Sequence, residues 1–265
     1  MPTRFDGNQI KEQILGDLKI KIAVLPVKPA LAVIWIGDDI VSARYIEQKQ
    51  RAAKYLGIHF DIVKLPTDAT TKIVKAEIAR LNSDPTITGL MIQLPIPEGL
   101  DQNELISAIA SEKDVDALRF CSELSCHFRP PVTGAIMEAI KQSTINLKNS
   151  KVAVIGRGFL VGTPLIRVLE EYDVDLRIAD EQTPYLATIT SDADVVISAV
   201  GKPGLIKAKM IKKGAVLIDA GISEVGGKLV GDIDPRAFEK SSFYTPVPGG
   251  IGPVTVAMLY RNLVK

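Results

Sequence analysis

The chain has 265 residues, enough for one large domain or two small ones and for a sizeable buried core. With 46% hydrophobic and 24% charged residues, it has the balance of a globular protein rather than a disordered one. Thirty-two Lys and Arg against 31 Asp and Glu argue against a nucleic-acid partner, while the lack of a bilayer-length apolar run or a signal-peptide core argues for a cytoplasmic protein free of membrane.

Ile10, Ile14, Leu18 and Ile22 recur every four residues and predict an amphipathic helix. The apolar run 30–36 predicts a buried strand ending at Gly37. Ser42 then opens a helix reaching about Leu56. A strand over 58–65, a helix over 71–81, a buried strand over 87–94 and a helix over 101–110 follow. The segment 116–133 breaks this rhythm and reads as a linker. A helix over about 133–142 leads into a second series, with strands at 151–156, 174–179, 194–200 and 215–219 and a last helix over 253–264. Near-continuous apolar strands alternating with helices predict parallel sheets covered on both faces. Two such α/β units make a cleft between them the default ligand site.

The strand Val152-Ala-Val-Ile155 runs into Gly156-Arg157-Gly158-Phe-Leu-Val-Gly162, a glycine-rich turn one residue longer than the usual dinucleotide fingerprint. It stands after a strand and before a helix beginning near Val161. There Gly156 permits a tight turn, Gly158 lets a pyrophosphate approach the backbone, and the helix N-terminus offers free N–H groups. A lone glycine turn is a weak signal, but this placement favours a nucleotide over an ordinary loop. Asp180 and Glu181 end the next strand, where a carboxylate reads the ribose 2′-hydroxyl of NAD.

In the first unit, Tyr45 and Lys49 lie four apart and share a helix face. Most lysines are solvated; one in a cleft can be tuned for proton transfer. Gln93 interrupts an apolar strand and must find a partner there. Asp114 and Asp116 face opposite ways if the segment is extended. Periodicity alone leaves these residues as suggestions. Cys121, Cys126 and His127 match no zinc spacing and lack a fourth ligand, so no metal is expected. His59 reads as packed within a strand.

Taken together, Ser42-x-x-Tyr45-x-x-x-Lys49, Gln93-Leu-Pro-Ile-Pro97, Lys113-Asp-Val-Asp116, Gly156-Arg157, Val161-Gly162-x-Pro164, Val200-Gly-Lys-Pro-Gly204, Ile218-Asp-Ala-Gly-Ile222, Val230-Gly-Asp232 and Tyr244-Thr-Pro-Val-Pro-Gly-Gly-Ile-Gly-Pro253 resemble the methylenetetrahydrofolate dehydrogenase/methenyltetrahydrofolate cyclohydrolase family over nearly the whole chain. The resemblance implies two α/β domains with a cleft between them: a folate-binding catalytic domain over 1–132 and a Rossmann-type, doubly wound parallel sheet over 133–252. The helix 253–265 would pack back on the first domain. It implies Lys49 as the catalytic lysine, Tyr45 stacking on the substrate, Gln93 tuning the lysine and Asp116 anchoring the pterin, with Pro248, Gly249, Gly250, Gly252 and Pro253 shaping the folate wall. Gly156, Arg157, Gly158, Gly162, Asp180, Val200, Gly201, Gly221 and Ile222 would hold the dinucleotide. A homodimer, tetrahydrofolate one-carbon derivatives as substrates, and a place in one-carbon metabolism and purine biosynthesis are implied as well.

The family commonly uses NADP and carries His-Ser or His-Arg after the second Rossmann strand. Asp180 and Glu181 stand here instead and would repel a 2′-phosphate, so NAD is expected over NADP, with Arg157 and Arg177 as counterweights. The chain also departs from the pattern at Ala117, where the family has Gly. It has no N-x-G segment between Leu118 and Phe128, and it has Pro130-Pro-Val-Thr-Gly-Ala135 in place of P-C-T-P-x-G. These departures leave open a member that has lost one of the two activities. A different Rossmann dehydrogenase of a small substrate would explain the glycine turn but not the remaining motifs.

Overall fold

The structure, a computed structural model, describes every residue except Glu123, Leu124, Glu181 and Lys265. In chain order its elements begin with β1 (Thr3–Arg4), α1 (Gly7–Ala23), β2 (Ala30–Ile36), α2 (Ile40–Leu56), β3 (His59–Leu65), α3 (Thr71–Ser83), β4 (Gly89–Ile92), α4 (Gln102–Ala108), α5 (Leu118–Cys121) and α6 (Pro131–Gln142). They continue with β5 (Lys151–Ile155), α7 (Gly162–Leu169), β6 (Asp175–Ala179), α8 (Leu186–Thr190), β7 (Val195–Ser198), β8 (Val216–Asp219), β9 (Ser223–Val225), β10 (Lys228–Val230), β11 (Phe243–Tyr244) and α9 (Ile251–Leu263). By contacts the chain divides into two units, Glu12–Pro131 with Val256–Lys265, and Met1–Lys11 with Val132–Thr255.

The unit built on Glu12–Pro131 has a three-stranded parallel sheet in the order β3-β2-β4. Strand β2 is central, so both its faces are buried, which accounts for its unbroken apolar run. Leu31 and Val33 pack with Leu15 and Leu18 of α1, Ala53 and Leu56 of α2, and Leu259 and Tyr260 of α9. Ala32 and Ile34 face the other way, onto Val74, Ile78 and Leu81 of α3 and Leu105 of α4. The chain leaves β2 toward β3 and returns on the far side to β4. The order therefore reverses at the carboxyl ends of β2 and β4, where open α/β sheets bind ligands.

Helix α2 begins at Ile40, two residues before the expected Ser42. The carboxylate of Asp39 caps it, accepting from the Ser42 backbone N–H at 2.6 Å. Gly57, at φ 69°, closes it with a left-handed turn that a side chain would strain. Helix α6 likewise starts at Pro131 rather than near 133, with a proline in the first helical position.

The second unit carries a six-stranded parallel sheet in the order β1-β11-β8-β7-β5-β6, reversing between β5 and β7. Its core gathers Ala153, Ile155, Val196, Leu217 and Ile206. The first residues join this sheet because β1 pairs with β11, Thr3 beside Phe243 and Arg4 beside Tyr244. The resemblance implies a first domain over 1–132; a two-residue strand has no periodicity, so nothing in the sequence pattern sets residues 1–11 apart from it. The antiparallel pair β9 and β10 was not anticipated either, for the same reason.

Candidate active site

Lys49 stands on α2 and Gln93 directly follows β4, at the reversal point of the smaller sheet. The Lys49 Nζ donates to Gln93 Oε1 at 2.8 Å. The Gln93 amide nitrogen donates to the Leu94 carbonyl at 2.7 Å, which turns the side-chain oxygen toward the lysine. Gln93 is 6% exposed, so both ends of its amide are satisfied within the protein. Burial pulls the Lys49 ammonium below the usual lysine range, and the Asp116 carboxylate opposes that shift. Asp116 is raised by its own burial and lowered by Lys49. The structure thus brings Lys49, Gln93 and Asp116 together, with Tyr45 one turn earlier on the lysine helix and 39% exposed.

The alternation of Asp114 and Asp116 is resolved by burial. Asp114 is fully buried and accepts the backbone N–H groups of Leu118 and Arg119 at 3.2 and 2.7 Å, closing the start of α5. Burial pushes it to about 6. It is a structural carboxylate, whereas Asp116 faces the lysine. Ala117 between them and α5 has φ 55°, a left-handed conformation that glycine adopts freely and alanine adopts at a cost. The one-residue departure from the expected K-D-V-D-G pattern therefore falls where the backbone turns out of the site.

Pro248, Gly249 and Gly250 form the turn before α9, and Gly252 and Pro253 lie in its first turn. All five belong to the second unit. Gly249 has φ 95°, and a Cβ on Gly250 would strike the Pro246 carbonyl. Gly249 and Gly250 are required by backbone geometry, whereas a Cβ on Gly252 would meet nothing within 4 Å.

In the second unit the expected nucleotide residues all follow the carboxyl ends of strands, around the reversal between β5 and β7. Gly156 follows β5, Asp180 β6, Val200 and Gly201 β7, and Gly221 and Ile222 β8. A Cβ on Gly156 would meet the Ala199 carbonyl, and one on Gly162 the Gly156 carbonyl. Those two glycines let turn, helix and neighbouring strand close up. A Cβ on Gly158 would meet nothing within 4 Å. The open face at Gly158, beside a helix N-terminus, fits the pyrophosphate of a dinucleotide. Asp180 accepts from Thr183 Oγ1 at 2.9 Å and from the Gln182 N–H at 3.0 Å through one oxygen. The Thr183 hydroxyl leads the causes that hold its carboxyl below the usual range, and Arg157 adds to them. Glu181, the other half of the expected acidic pair, lies outside the described residues.

Three residues at these sites escaped the pattern reading as functional groups. Buried Asp232 accepts from Ser198 Oγ and the Val200 N–H at 2.8 Å and from the Lys202 N–H at 2.7 Å, fixing the loop that carries Val200 and Gly201. Buried Asp219 accepts the N–H groups of Gly221, Asp232 and Ile233 at 3.1, 3.1 and 2.8 Å, and burial raises it to about 7. Tyr260, fully buried in α9, donates to the backbone carbonyl of Lys49 at 2.5 Å. Buried acids without cations betray themselves only through partners distant in sequence.

His59, expected to be packed, is exposed, because it opens the edge strand β3. Cys121 and Cys126 are free thiols, Cys126 facing Asp114 at 3.7 Å, and His127 Nδ1 lies 3.2 Å from Ser111 Oγ. Among the described residues, no group of three His, Cys, Asp or Glu is placed to hold a metal ion, and no helix is long and apolar enough to cross a membrane.

Two family profiles match the chain. The tetrahydrofolate dehydrogenase/cyclohydrolase catalytic domain covers residues 5–116, and the NAD(P)-binding domain of the same family covers 130–265. The bifunctional protein FolD of Lactobacillus acidophilus is 40% identical over 265 residues, covering 98% of this chain and 92% of that protein. The crystal structure of the bifunctional FolD dehydrogenase/cyclohydrolase of Campylobacter jejuni superposes with a TM-score of 0.95 at 32% identity, covering 100% of this chain and 98% of that one. The FolD of Trypanosoma brucei, solved with NADP and an inhibitor, gives 0.92 at 32% identity over 99% of this chain and 96% of that one.

Proposed function

The chain belongs to the tetrahydrofolate dehydrogenase/cyclohydrolase family, and from that premise we propose that it oxidises 5,10-methylenetetrahydrofolate to the 5,10-methenyl form with a nicotinamide dinucleotide and hydrolyses that product to 10-formyltetrahydrofolate. The observation that carries this reading is the Lys49 amine held at 2.8 Å from Gln93 and opposed by Asp116.

Oxidation removes a hydride from the methylene carbon, driven by the lone pairs of the two folate nitrogens. A bound nicotinamide supplies the acceptor. The protein's task in this step is alignment. We assign the folate to the Glu12–Pro131 unit, with Tyr45 stacking on its ring system and Asp116 accepting from pterin N–H groups. The dinucleotide goes to the Val132–Thr255 unit, on the turn 156–162 and the loops at Val200, Gly201, Gly221 and Ile222. In hydrolysis, water adds to the methenyl carbon and the five-membered ring opens at nitrogen. Of the water's two protons, one goes to the departing nitrogen and the other is released to solvent as the cationic methenyl carbon becomes a neutral formyl group. An amine lowered by burial and hydrogen-bonded to a neutral amide can take and return the proton.

NAD is the preferred nucleotide in this reading. Asp180 follows β6 at the position that reads the ribose, and it is ionised. One of its oxygens is occupied by Thr183 and Gln182, leaving the other to accept from a ribose diol and to repel a 2′-phosphate. The enzyme acts as a homodimer in the same reading, supported by the exposed apolar side chains of Val225 and Leu229, at 54% and 47%, on the β9–β10 hairpin.

The test is purified protein with methylenetetrahydrofolate and either NAD or NADP, following reduced cofactor and methenyl absorbance. Reduction followed by enzyme-accelerated loss of the methenyl signal is expected. No reduction with either nucleotide overturns the dehydrogenase, and methenyl decay at the uncatalysed rate overturns the cyclohydrolase.

A further inference from the structure

Helix α9 makes two buried polar contacts with the backbone of the residues that form the Lys49–Asp116 pair. The Tyr260 hydroxyl donates to the Lys49 carbonyl at 2.5 Å. The hydroxyl thus holds the main chain of α2 at the lysine itself. Two residues further along α9, the Asn262 amide donates to the Val115 carbonyl and to the Arg129 carbonyl, both at 2.9 Å. The Val115 carbonyl belongs to the peptide group that leads into Asp116. Tyr260 is fully buried and Asn262 is 8% exposed, so neither contact is shared with bulk water.

We propose that Tyr260 and Asn262 are positioning residues that together set the separation of Lys49 and Asp116. Neither reaches the reacting atoms. Each grips the main chain of one member of the pair, and because they stand on one rigid helix turn, the two grips move as one. The lysine must hold its bond to Gln93 while remaining close enough to Asp116 to feel its charge. Side chains as long as lysine cannot keep that geometry by rotamer preference alone, since they carry large conformational freedom. Burial of a tyrosine in an otherwise apolar cluster has a direct use here: its hydroxyl finds its partner at the catalytic helix.

The proposal rests on Lys49 as the proton-transfer group, and the experiment separates the two. Tyr260→Phe keeps the ring and removes only the hydroxyl. In the folded variant, the turnover of methenyltetrahydrofolate hydrolysis should fall between about 5- and about 100-fold, the scale of a misplaced catalytic group, with folate KM and nucleotide affinity within about twofold. Lys49→Met should abolish hydrolysis, and adding Tyr260→Phe to Lys49→Met should change the residual rate no further, because one acts through the other. Asn262→Ala should lower turnover in the same range with nucleotide affinity unchanged, but should also raise the folate KM because it holds Asp116, and it serves if Tyr260→Phe does not fold. An unchanged turnover in folded Tyr260→Phe, or a further multiplicative loss in the double variant, overturns the positioning role. Wild-type hydrolysis by Lys49→Met would instead overturn the reading on which it rests.

Discussion

The Lys49 amine donates to Gln93 Oε1 across 2.8 Å, and the amide of that same glutamine is held by the carbonyl of the next residue. The acceptor is neutral, so it orients the lysine without compensating its charge. Burial then outweighs the more distant attraction of Asp116, and the amine is lowered. Lys49→Met should cost hydrolysis roughly a hundred- to ten-thousand-fold, with an unchanged circular dichroism spectrum. Near-wild-type hydrolysis would count against the assignment.

Gln93→Glu puts a carboxylate on the same atom. It should raise the lysine and move the limb of the hydrolysis pH profile that reports its deprotonation to higher pH. A profile that stays in place shows that Gln93 does not tune the amine.

The two carboxylates of the 114–116 segment should separate cleanly. Asp116→Ala leaves pterin N–H groups unpaired, about 1–3 kcal/mol, seen as weaker folate binding and lower turnover at unchanged melting temperature. Asp114→Ala leaves the Leu118 and Arg119 N–H groups without their buried acceptor and should lower the melting temperature. The reverse pattern would show that the two roles are exchanged.

Two glycines of the nucleotide turn should also part company. A methyl on Gly158 meets open space, whereas one on Gly162 meets the Gly156 carbonyl. Gly158→Ala should fold as the wild type and hydrolyse methenyltetrahydrofolate normally while binding nucleotide more weakly. Gly162→Ala should lose thermal stability. Equal nucleotide affinity in Gly158→Ala would place the pyrophosphate elsewhere.

Asp180→Ser removes the carboxylate proposed to read the ribose. The ratio of kcat/KM for NAD to that for NADP should exceed one in the wild type and fall in the variant. A wild-type preference for NADP, or an unaltered ratio, would show that Asp180 does not choose the cofactor.

Burial raises Asp114 to about 6 and Asp219 to about 7, above the ordinary 3.8 that both regain on unfolding. Between those values the folded chain holds protons that the unfolded chain has released. Their contribution to stability is therefore lost as pH rises from about 4 through 7. The melting temperature should fall across that window, with a shallower slope in Asp219→Asn. An equal slope in that variant would show that Asp219 is not the titrating group.

Much of the architecture was legible because its signals are local. The apolar run Ala30–Ile36 reads as a strand buried on both faces and is one, and Gly156, Gly158 and Gly162 sit between strand and helix as the turn chemistry requires. Lys49 on a helix face and Gln93 at a strand end were separate suggestions of chemistry-bearing types. Their contact spans 44 positions and has no periodic trace. Nor could spacing decide between Asp114 and Asp116, since alternation gives two faces without saying which is dry. The first strand joined the second unit through only two residues, below any pattern length. Asp232, Asp219 and Tyr260 owe their roles chiefly to hydrogen bonds closed over 13 to 211 positions, with one local bond from Gly221 to Asp219. Chain-local chemistry determined the elements, the glycine turn and the family pattern. Burial decided which carboxylate is structural and which faces the amine, because the cost of desolvating a charge depends on what the fold packs around it.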